Sequence, residues 1–148
     1  MGFWCLVCRL FIVDLAHMPA GCGTWPAFWL VGPGWPNDGE IDIIEGVNNA
    51  ASDTTTLHSS QGCSQAGVAD SEFTGKRSVG KNGRPATDCW VKDPNEFGNQ
   101  GCGISAGTGS YGAPFNAVSE PIATELISNP ISYGQSSVIT QVVTDPID

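Results

Sequence analysis

Apolar and polar residues alternate over several short stretches in the first 60 residues, and this pattern predicts β-strands. The clearest stretches are residues 10–16, 24–31, 39–46 and 54–59. The loops between them carry glycine, proline, asparagine and aspartate, the residues that turns prefer. Short strands joined by short loops favour an antiparallel meander or sandwich, so we predict an all-β fold.

Alternation in the second predicted strand divides its aromatic side chains between two faces. Trp25 and Trp29 share one face, and Phe28 and Leu30 share the other. By composition alone these tryptophans would belong to the core, and Trp25 is the one that we expect to be buried. Trp35 lies in the turn-rich loop after this strand, so we expect it to be exposed.

Three carboxylates fall within six positions of the third predicted strand, between two glycines. Strict alternation puts Glu40 and Asp42 on one face. Glu45 is out of phase and would point into the core, where an unpaired carboxylate is costly. One extra residue at Ile43 and Ile44, a β-bulge, would return Glu45 to the face that carries Glu40 and Asp42. We therefore predict a bulge at this point.

The spacing of the two glutamates suggests a particular kind of acid chemistry. With the bulge, the Cα atoms of Glu40 and Glu45 lie about 13 Å apart, at about 3.4 Å per residue. Side chains that lean together would bring the carboxyl groups to about 5–6 Å, which suits a retaining glycosidase better than an inverting one. Because neighbouring carboxylates cannot all ionise freely, at least one pKa must rise, which keeps one carboxyl as a proton donor.

The remainder of the chain gives weaker patterns. In the fourth predicted strand Thr54, Thr56 and His58 share a face. Residues 60–112 are rich in glycine, serine and asparagine, and we predict loops without strands there. Alternation of β-branched residues returns at 137–144, without side chains that suggest chemistry.

Composition narrows the class of partner. The 148 residues suit one globular domain, and nineteen glycines with ten prolines favour an all-β protein with many turns. Fifteen acidic residues against six basic ones give a formal charge of −9, which repels nucleic acid and anionic membranes. No apolar stretch reaches the length of about 18 residues that a membrane span requires. A neutral polymer is a compatible partner, and we expect a monomer without a cofactor.

Six cysteines are many for a cytosolic protein and favour an oxidising compartment. Cys22, Cys63, Cys89 and Cys102 lie in loop-like segments of the kind that disulfides staple in secreted folds. They allow three pairings, and the sequence does not choose between them.

The N-terminal residues 1–13 are apolar, but they lack a basic beginning and a convincing cleavage site, so we predict no signal peptide. Cys5 and Cys8 are spaced like a redox or metal-binding pair. We interpret them as incidental, because no second pair follows at metal-ligand spacing.

Distinct motifs follow one another along residues 10–116, and together they are far more specific than three acids in a strand. In order they read AHMP, GCGTWPAFW, WPN, GEIDIIEG, TTLH and YGAPFN. This series resembles glycoside hydrolase family 16, and most of all the fungal endo-1,3(4)-β-glucanases of the laminarinase type.

The resemblance implies a β-jelly-roll sandwich, similar to concanavalin A, whose concave sheet binds a β-glucan chain outside the cell. It implies hydrolysis of internal β-1,3 and mixed β-1,3/1,4 bonds by retaining double displacement. At matching positions Glu40 would be the nucleophile, Glu45 the general acid/base and Asp42 the residue that tunes the nucleophile. The residues that would line the sugar subsites are Trp29, Trp35 and His58. Tryptophan faces suit this task because they pack on the C–H faces of pyranose rings.

The resemblance does not cover the whole chain. Residues 1–9 do not match, and residues 117–148 lack the later strands of the family. We therefore predict a partial-length catalytic domain at residues 10–116, between an atypical N-terminal segment and a divergent C-terminal segment.

Other interpretations of the same residues are open. Taken alone, the acidic strand could be a solvated face, or a calcium site, but the oxygen-rich loop spacing of a calcium site is absent, so we expect no metal. An alternative function is a catalytically impaired glucan-binding fragment that keeps the tryptophans but cannot hold the two glutamates in register. A third is a truncated remnant that folds poorly and would melt without cooperativity.

Overall fold

Two antiparallel sheets form the described part of the chain, residues 10–117 and 122–127 of this computed structural model, with side chains described for residues 13–117. The strands are β1 (Leu10–Leu15), β2 (Ala27–Val31), β3 (Glu40–Glu45), β4 (Thr54–His58), β5 (Lys76–Arg77), β6 (Cys102–Ser105) and β7 (Ile122–Ile127). The larger sheet has the order β2-β3-β4-β6-β5, and β1 pairs with β7 in the smaller one. All these pairs are antiparallel, as predicted.

The strands of the first 60 residues lie close to their predicted positions. β1 and β4 each end one residue earlier than predicted, and β2 begins at Ala27 rather than at Thr24. Pro26 has no N–H for a sheet ladder, which explains the later beginning of β2. Alternation in β2 is also confirmed, because Phe28 and Leu30 pack against the core.

The prediction of loops alone between residues 60 and 112 is wrong. This segment contains β5, β6 and a 3₁₀ turn at Asp70–Glu72, and a short helix, α1, follows at Gly112–Asn116. β6 reads Cys-Gly-Ile-Ser, which has no alternating pattern, and it forms a strand because it pairs with β4 on one side and β5 on the other. Within the described ranges no helix is long and apolar enough to cross a membrane. The stretch 137–144 lies outside the described residues.

The main core joins the two sheets. Its buried members are Met18, Ile43, Ile44, Tyr111 and Phe115, and Val13 and Leu15 of β1 pack against them. The isoleucines of the acidic strand therefore provide its buried face, as their alternation with the acids predicts.

The predicted bulge is present in β3. Phe28 pairs with Ile44, but the next residue, Trp29, pairs with Asp42, so Ile43 is an extra residue on β3. The partners of Glu45, Asp42 and Glu40 are Ala27, Trp29 and Val31, which alternate on the exposed face of β2. The three acids of β3 consequently share one face of the sheet.

A disulfide joins Cys89, in the long loop before β6, to Cys102 at the beginning of β6. Cys22 is exposed, Cys63 is half-buried, and the two are not bonded to each other. The expectation that all four cysteines form disulfides among themselves is therefore wrong for this pair. Cys5 and Cys8 lie outside the described residues.

Candidate active site

Two acids and a histidine meet at the centre of the larger sheet, on the face opposite the main core. Glu40 pairs with His58 in the β3–β4 ladder, and Asp42 lies two residues further along the same face. One donor atom from each of these three side chains lies within 4.8 Å of the others. Such a group could share a proton or hold a cation, although we expect no metal from the sequence.

Within this group, Asp42 and His58 form a buried ion pair. Asp42 is 2% exposed, and Nε2 of His58 lies 3.1 Å from its Oδ2. The contact does not meet the geometry of a hydrogen bond, so we describe it as an ion pair. Burial lowers the pKa of His58, but the pairing with Asp42 and the charges of Asp42, Glu40 and Glu45 outweigh it and raise the pKa.

Both glutamates of β3 hold their protons more tightly than free glutamates do. Burial, and then the charge of Asp42, raises the pKa of Glu40 against the opposing effects of His58 and Trp35. Burial likewise raises the pKa of Glu45 against a hydrogen bond from Trp25. The predicted rise in acid pKa is confirmed, and its main cause is desolvation, with repulsion between acids second.

Trp25 contradicts the prediction that it is buried. It is 68% exposed, and its indole N–H donates a hydrogen bond of 2.8 Å to Oε1 of Glu45. Trp25 precedes β2 and lies outside the ladder, so strand alternation does not determine its environment. The contact leaves Oε2 of Glu45 free to carry a proton.

Trp29 and Trp35 are also available to a ligand. Trp29 is 49% exposed beside Asp42, and Trp35 is 43% exposed, as predicted for its loop. The neighbouring Trp35 side chain lowers the pKa of Glu40 and so favours its ionised form. An acidic group with three exposed indoles around it matches the usual composition of a sugar-binding cleft, an apolar surface with a few polar groups.

Sequence reasoning missed two buried residues behind Glu45. Oδ1 of Asp53 accepts a hydrogen bond of 2.8 Å from the backbone N–H of Glu45. Tyr111 is fully buried, and its hydroxyl donates a hydrogen bond of 2.8 Å to the carbonyl oxygen of Gly46. Tyr111 lies in the motif YGAPFN, whereas no pattern signalled Asp53.

A second group of acids lies in the loops before β6. Asp88, Asp93 and Glu96 line a cavity of about 290 Å³. Glu96 is 5% exposed, and burial raises its pKa to about 7. No tryptophan or histidine lines this cavity, and we call it the loop pocket.

Comparison with known proteins agrees with the motifs. The family model described as "XgeA-like, catalytic GH16 domain" matches residues 7–133. A probable glycosidase of Schizosaccharomyces pombe is 48% identical over 108 residues, which are 72% of this chain and 24% of that protein. A probable endo-1,3(4)-β-glucanase of Aspergillus flavus is 41% identical over 140 residues, 92% of this chain and 19% of that protein.

The fold of this chain also agrees with a solved structure of the family. A structure of the GH16 laminarinase 16A from Phanerochaete chrysosporium, with β-glucans in both donor and acceptor sites, aligns with a TM-score of 0.66 and 34% identity. The alignment covers 88% of this chain and 43% of that one. The chain spans about a fifth to a quarter of the length of the two curated relatives. With its antiparallel jelly-roll architecture confirmed and most of its residues matched, the chain belongs to glycoside hydrolase family 16.

Proposed function

We propose that this chain carries the catalytic acids of a retaining endo-1,3(4)-β-glucanase. Glu40 attacks the anomeric carbon and forms a glycosyl-enzyme, while Glu45 protonates the departing sugar oxygen. Glu45 then removes a proton from the water that releases the glycosyl group. Asp42, close to Glu40 and paired with His58, tunes the nucleophile.

The extra residue at Ile43 carries this proposal. Without it, Glu45 would point into the core and could not act on a ligand that contacts Glu40. With it, both glutamates lie on the face that also presents Trp29. The raised pKa values of both glutamates supply a carboxyl that stays protonated nearer neutrality.

A β-glucan is the substrate that we propose. The Aspergillus flavus relative is described as a probable endo-1,3(4)-β-glucanase, and the Phanerochaete chrysosporium enzyme binds β-glucans in two sites. The exposed indoles of Trp25, Trp29 and Trp35 provide the surface on which neutral sugar rings pack. We also propose an extracellular location, since the Cys89–Cys102 disulfide is typical of oxidising compartments.

Substitution of the nucleophile tests the proposal. We expect Glu40→Gln to lower the release of reducing ends from laminarin and lichenan by at least about 10³-fold, because the amide cannot form the glycosyl ester. The first products of the unaltered chain should keep the β configuration in proton NMR. Activity that survives in Glu40→Gln, or products that begin as α anomers, would contradict the assignment.

The three exposed tryptophans also support a second candidate, a glucan-binding module without turnover. In that case the unaltered chain would bind insoluble β-1,3-glucan in a pull-down assay but release no reducing ends. Trp29→Ala would then lower binding, and Glu40→Gln would not change it. The division into residues 1–9, 10–116 and 117–148 stays a prediction.

A further inference from the structure

The ladder between β3 and β4 ends before it reaches Glu45. It contains three pairs, the last of which joins Asp42 to Thr56. If the same register continued, Thr55 would lie opposite Ile43, and Asp53 would lie opposite Glu45. The bulge prevents this, because the extra residue disrupts the regular ladder at Ile43.

Side chains of β4 and the residue before it replace the missing backbone bonds. Oγ1 of Thr55 donates a hydrogen bond of 2.9 Å to the carbonyl oxygen of Ile43. Oδ1 of Asp53 accepts one of 2.8 Å from the N–H of Glu45. In both cases the side chain belongs to the residue that would have paired with β3 in an unbroken ladder.

Asp53 is itself held firmly. Its backbone N–H donates to Oγ of Ser110 at 2.8 Å, and its carbonyl oxygen accepts from the N–H of Ala106 at 2.8 Å. The side chains of Asp53 and Thr55 are both buried. Buried hydrogen bonds between fixed partners restrict the backbone that they join, since breaking one leaves a polar group unpaired.

We propose that Asp53 and Thr55 are positioning residues that hold the bulged end of β3 and thereby direct the carboxyl of Glu45 toward the sugar oxygen that it protonates. The kinetic part of this inference rests on the proposed function, because it takes Glu45 as the general acid. The structural part requires only that these two side chains fix the backbone between Ile43 and Glu45.

The kinetic test compares two substrates. We expect Asp53→Ala and Thr55→Val to lower kcat/KM on laminarin about 10–100-fold, since a small displacement of a catalytic group has effects of this size. The same variants should keep most of kcat/KM on an aryl β-laminaribioside with a dinitrophenolate leaving group, which departs without a proton. Asp53→Asn keeps an Oδ1 acceptor and should restore most of the activity on laminarin.

Thr54→Val is the matched control. Its hydroxyl contacts Oγ of Ser105 on β6 and not β3, so its loss should not affect the two substrates differently. An equal loss on both substrates in Asp53→Ala, or no loss on either, would overturn the positioning role.

Amide hydrogen exchange separates this inference from the proposed function. We expect the N–H of Glu45 to exchange about fivefold faster in Asp53→Ala than in the unaltered chain, the effect of about 1 kcal/mol for one hydrogen bond. The N–H of Leu57, which lies elsewhere in the sheet, should not change. Unchanged exchange at Glu45 would overturn the positioning role. Faster exchange in a chain that lacks glucanase activity would instead leave the positioning intact and overturn the proposed function.

Discussion

Two groups of buried and half-buried acids in this chain differ in what surrounds them. On the acidic face of β3, one donor atom each from Glu40, Asp42 and His58 lies within 4.8 Å of the others. In the loop pocket, Asp88 and Glu96 each direct an oxygen to a backbone N–H, and no three acidic or histidine donors of the described residues converge there.

The comparison shows that a raised pKa alone does not identify a catalytic site. Burial raises the pKa of Glu96 to about 7 in the loop pocket, as it does for Asp53 behind the β3 face. Desolvation acts on any buried carboxyl, whatever its function. What distinguishes the β3 face is that acids and a histidine meet there beside exposed indoles.

The largest expected effect is on kcat, when one acid of the β3 face is replaced and compared with the same replacement in the loop pocket. We expect Glu45→Gln to lower kcat on laminarin about 10²–10⁴-fold, because general acid/base catalysis contributes factors of this size. Glu96→Gln changes the same atoms in the loop pocket and should leave kcat within about twofold. Reducing-end assays of both variants measure the difference. A comparable loss in Glu96→Gln would show that the loop pocket takes part in the reaction.

Two glycines with similar backbone conformations allow a second comparison. Gly101 (φ +62°) lies against His58. A Cβ at this position would lie 2.3 Å from the carbonyl oxygen of Leu57 and 2.8 Å from Nδ1 of His58. Gly83 (φ +74°), in the turn beside the loop pocket, has open space around it.

We expect Gly101→Ala to lower the free energy of unfolding by about 2–4 kcal/mol, since it combines a left-handed conformation with a collision. Gly83→Ala has only the conformational cost and should lose about 1 kcal/mol. Urea denaturation followed by tryptophan fluorescence would measure both. Equal losses would show that the contacts with Leu57 and His58 relax without cost.

Sequence patterns predicted the β3 face well because the residues that determine it are neighbours in the chain. The alternation of acids with isoleucines located the strand, and the phase of Glu45 required the bulge that Ile43 provides. Trp35 was predicted to be exposed from the turn residues around it. Each of these inferences needs only neighbours in the chain.

Contacts between distant segments account for what could not be predicted. β6 is a strand because of its partners β4 and β5, and its glycine-containing sequence has no period. The exposed indole of Trp25 donates to Glu45, 20 residues further along the chain, and the alternation of β2 gives no sign of that contact. Asp53 lies behind Glu45 only because the β3–β4 register places it there, and a lone aspartate in a loop gives no signal of that.

Two buried acids, Asp53 behind the β3 face and Glu96 in the loop pocket, should also make stability depend on pH. Asp53 and Glu96 keep their protons up to about pH 7 in the folded chain, against ordinary pKa values of 3.8 and 4.5. The folded chain therefore binds more protons than the unfolded chain in this window, and its stability falls as the pH rises from about 4 through 7.

Thermal melts between pH 4.5 and 8 would separate the two contributions. We expect Glu96→Gln to reduce the fall in Tm over this range and to leave glucanase activity unchanged. Asp53→Asn should also reduce the fall in Tm, because it removes the buried acid behind the β3 face. If the slope of Tm against pH does not change in Glu96→Gln, then water enters the loop pocket and Glu96 ionises at its ordinary pKa.

The smallest expected effect concerns a hydrogen bond from a side chain to an acid. Oε1 of Glu45 accepts such a bond from the exposed indole of Trp25, whereas Oε1 of Glu96 accepts one from the backbone N–H of Asp88. The indole N–H favours the ionised form of Glu45 and lowers its pKa. Trp25→Phe removes this donor, so the pKa of Glu45 should rise and the alkaline limb of the kcat/KM profile should move to higher pH.

The rate at the optimum should fall less than about tenfold in Trp25→Phe, because a single hydrogen bond contributes about 0.5–1.5 kcal/mol. Trp29→Phe is the control, since Trp29 lies on the same face without a hydrogen bond to Glu45 among those of the described residues. It should raise KM and leave the alkaline limb in place. An alkaline limb that stays fixed in Trp25→Phe would mean that Glu45 is not the proton donor, and the feature that separates the β3 face from the loop pocket would then be its aromatic surface alone.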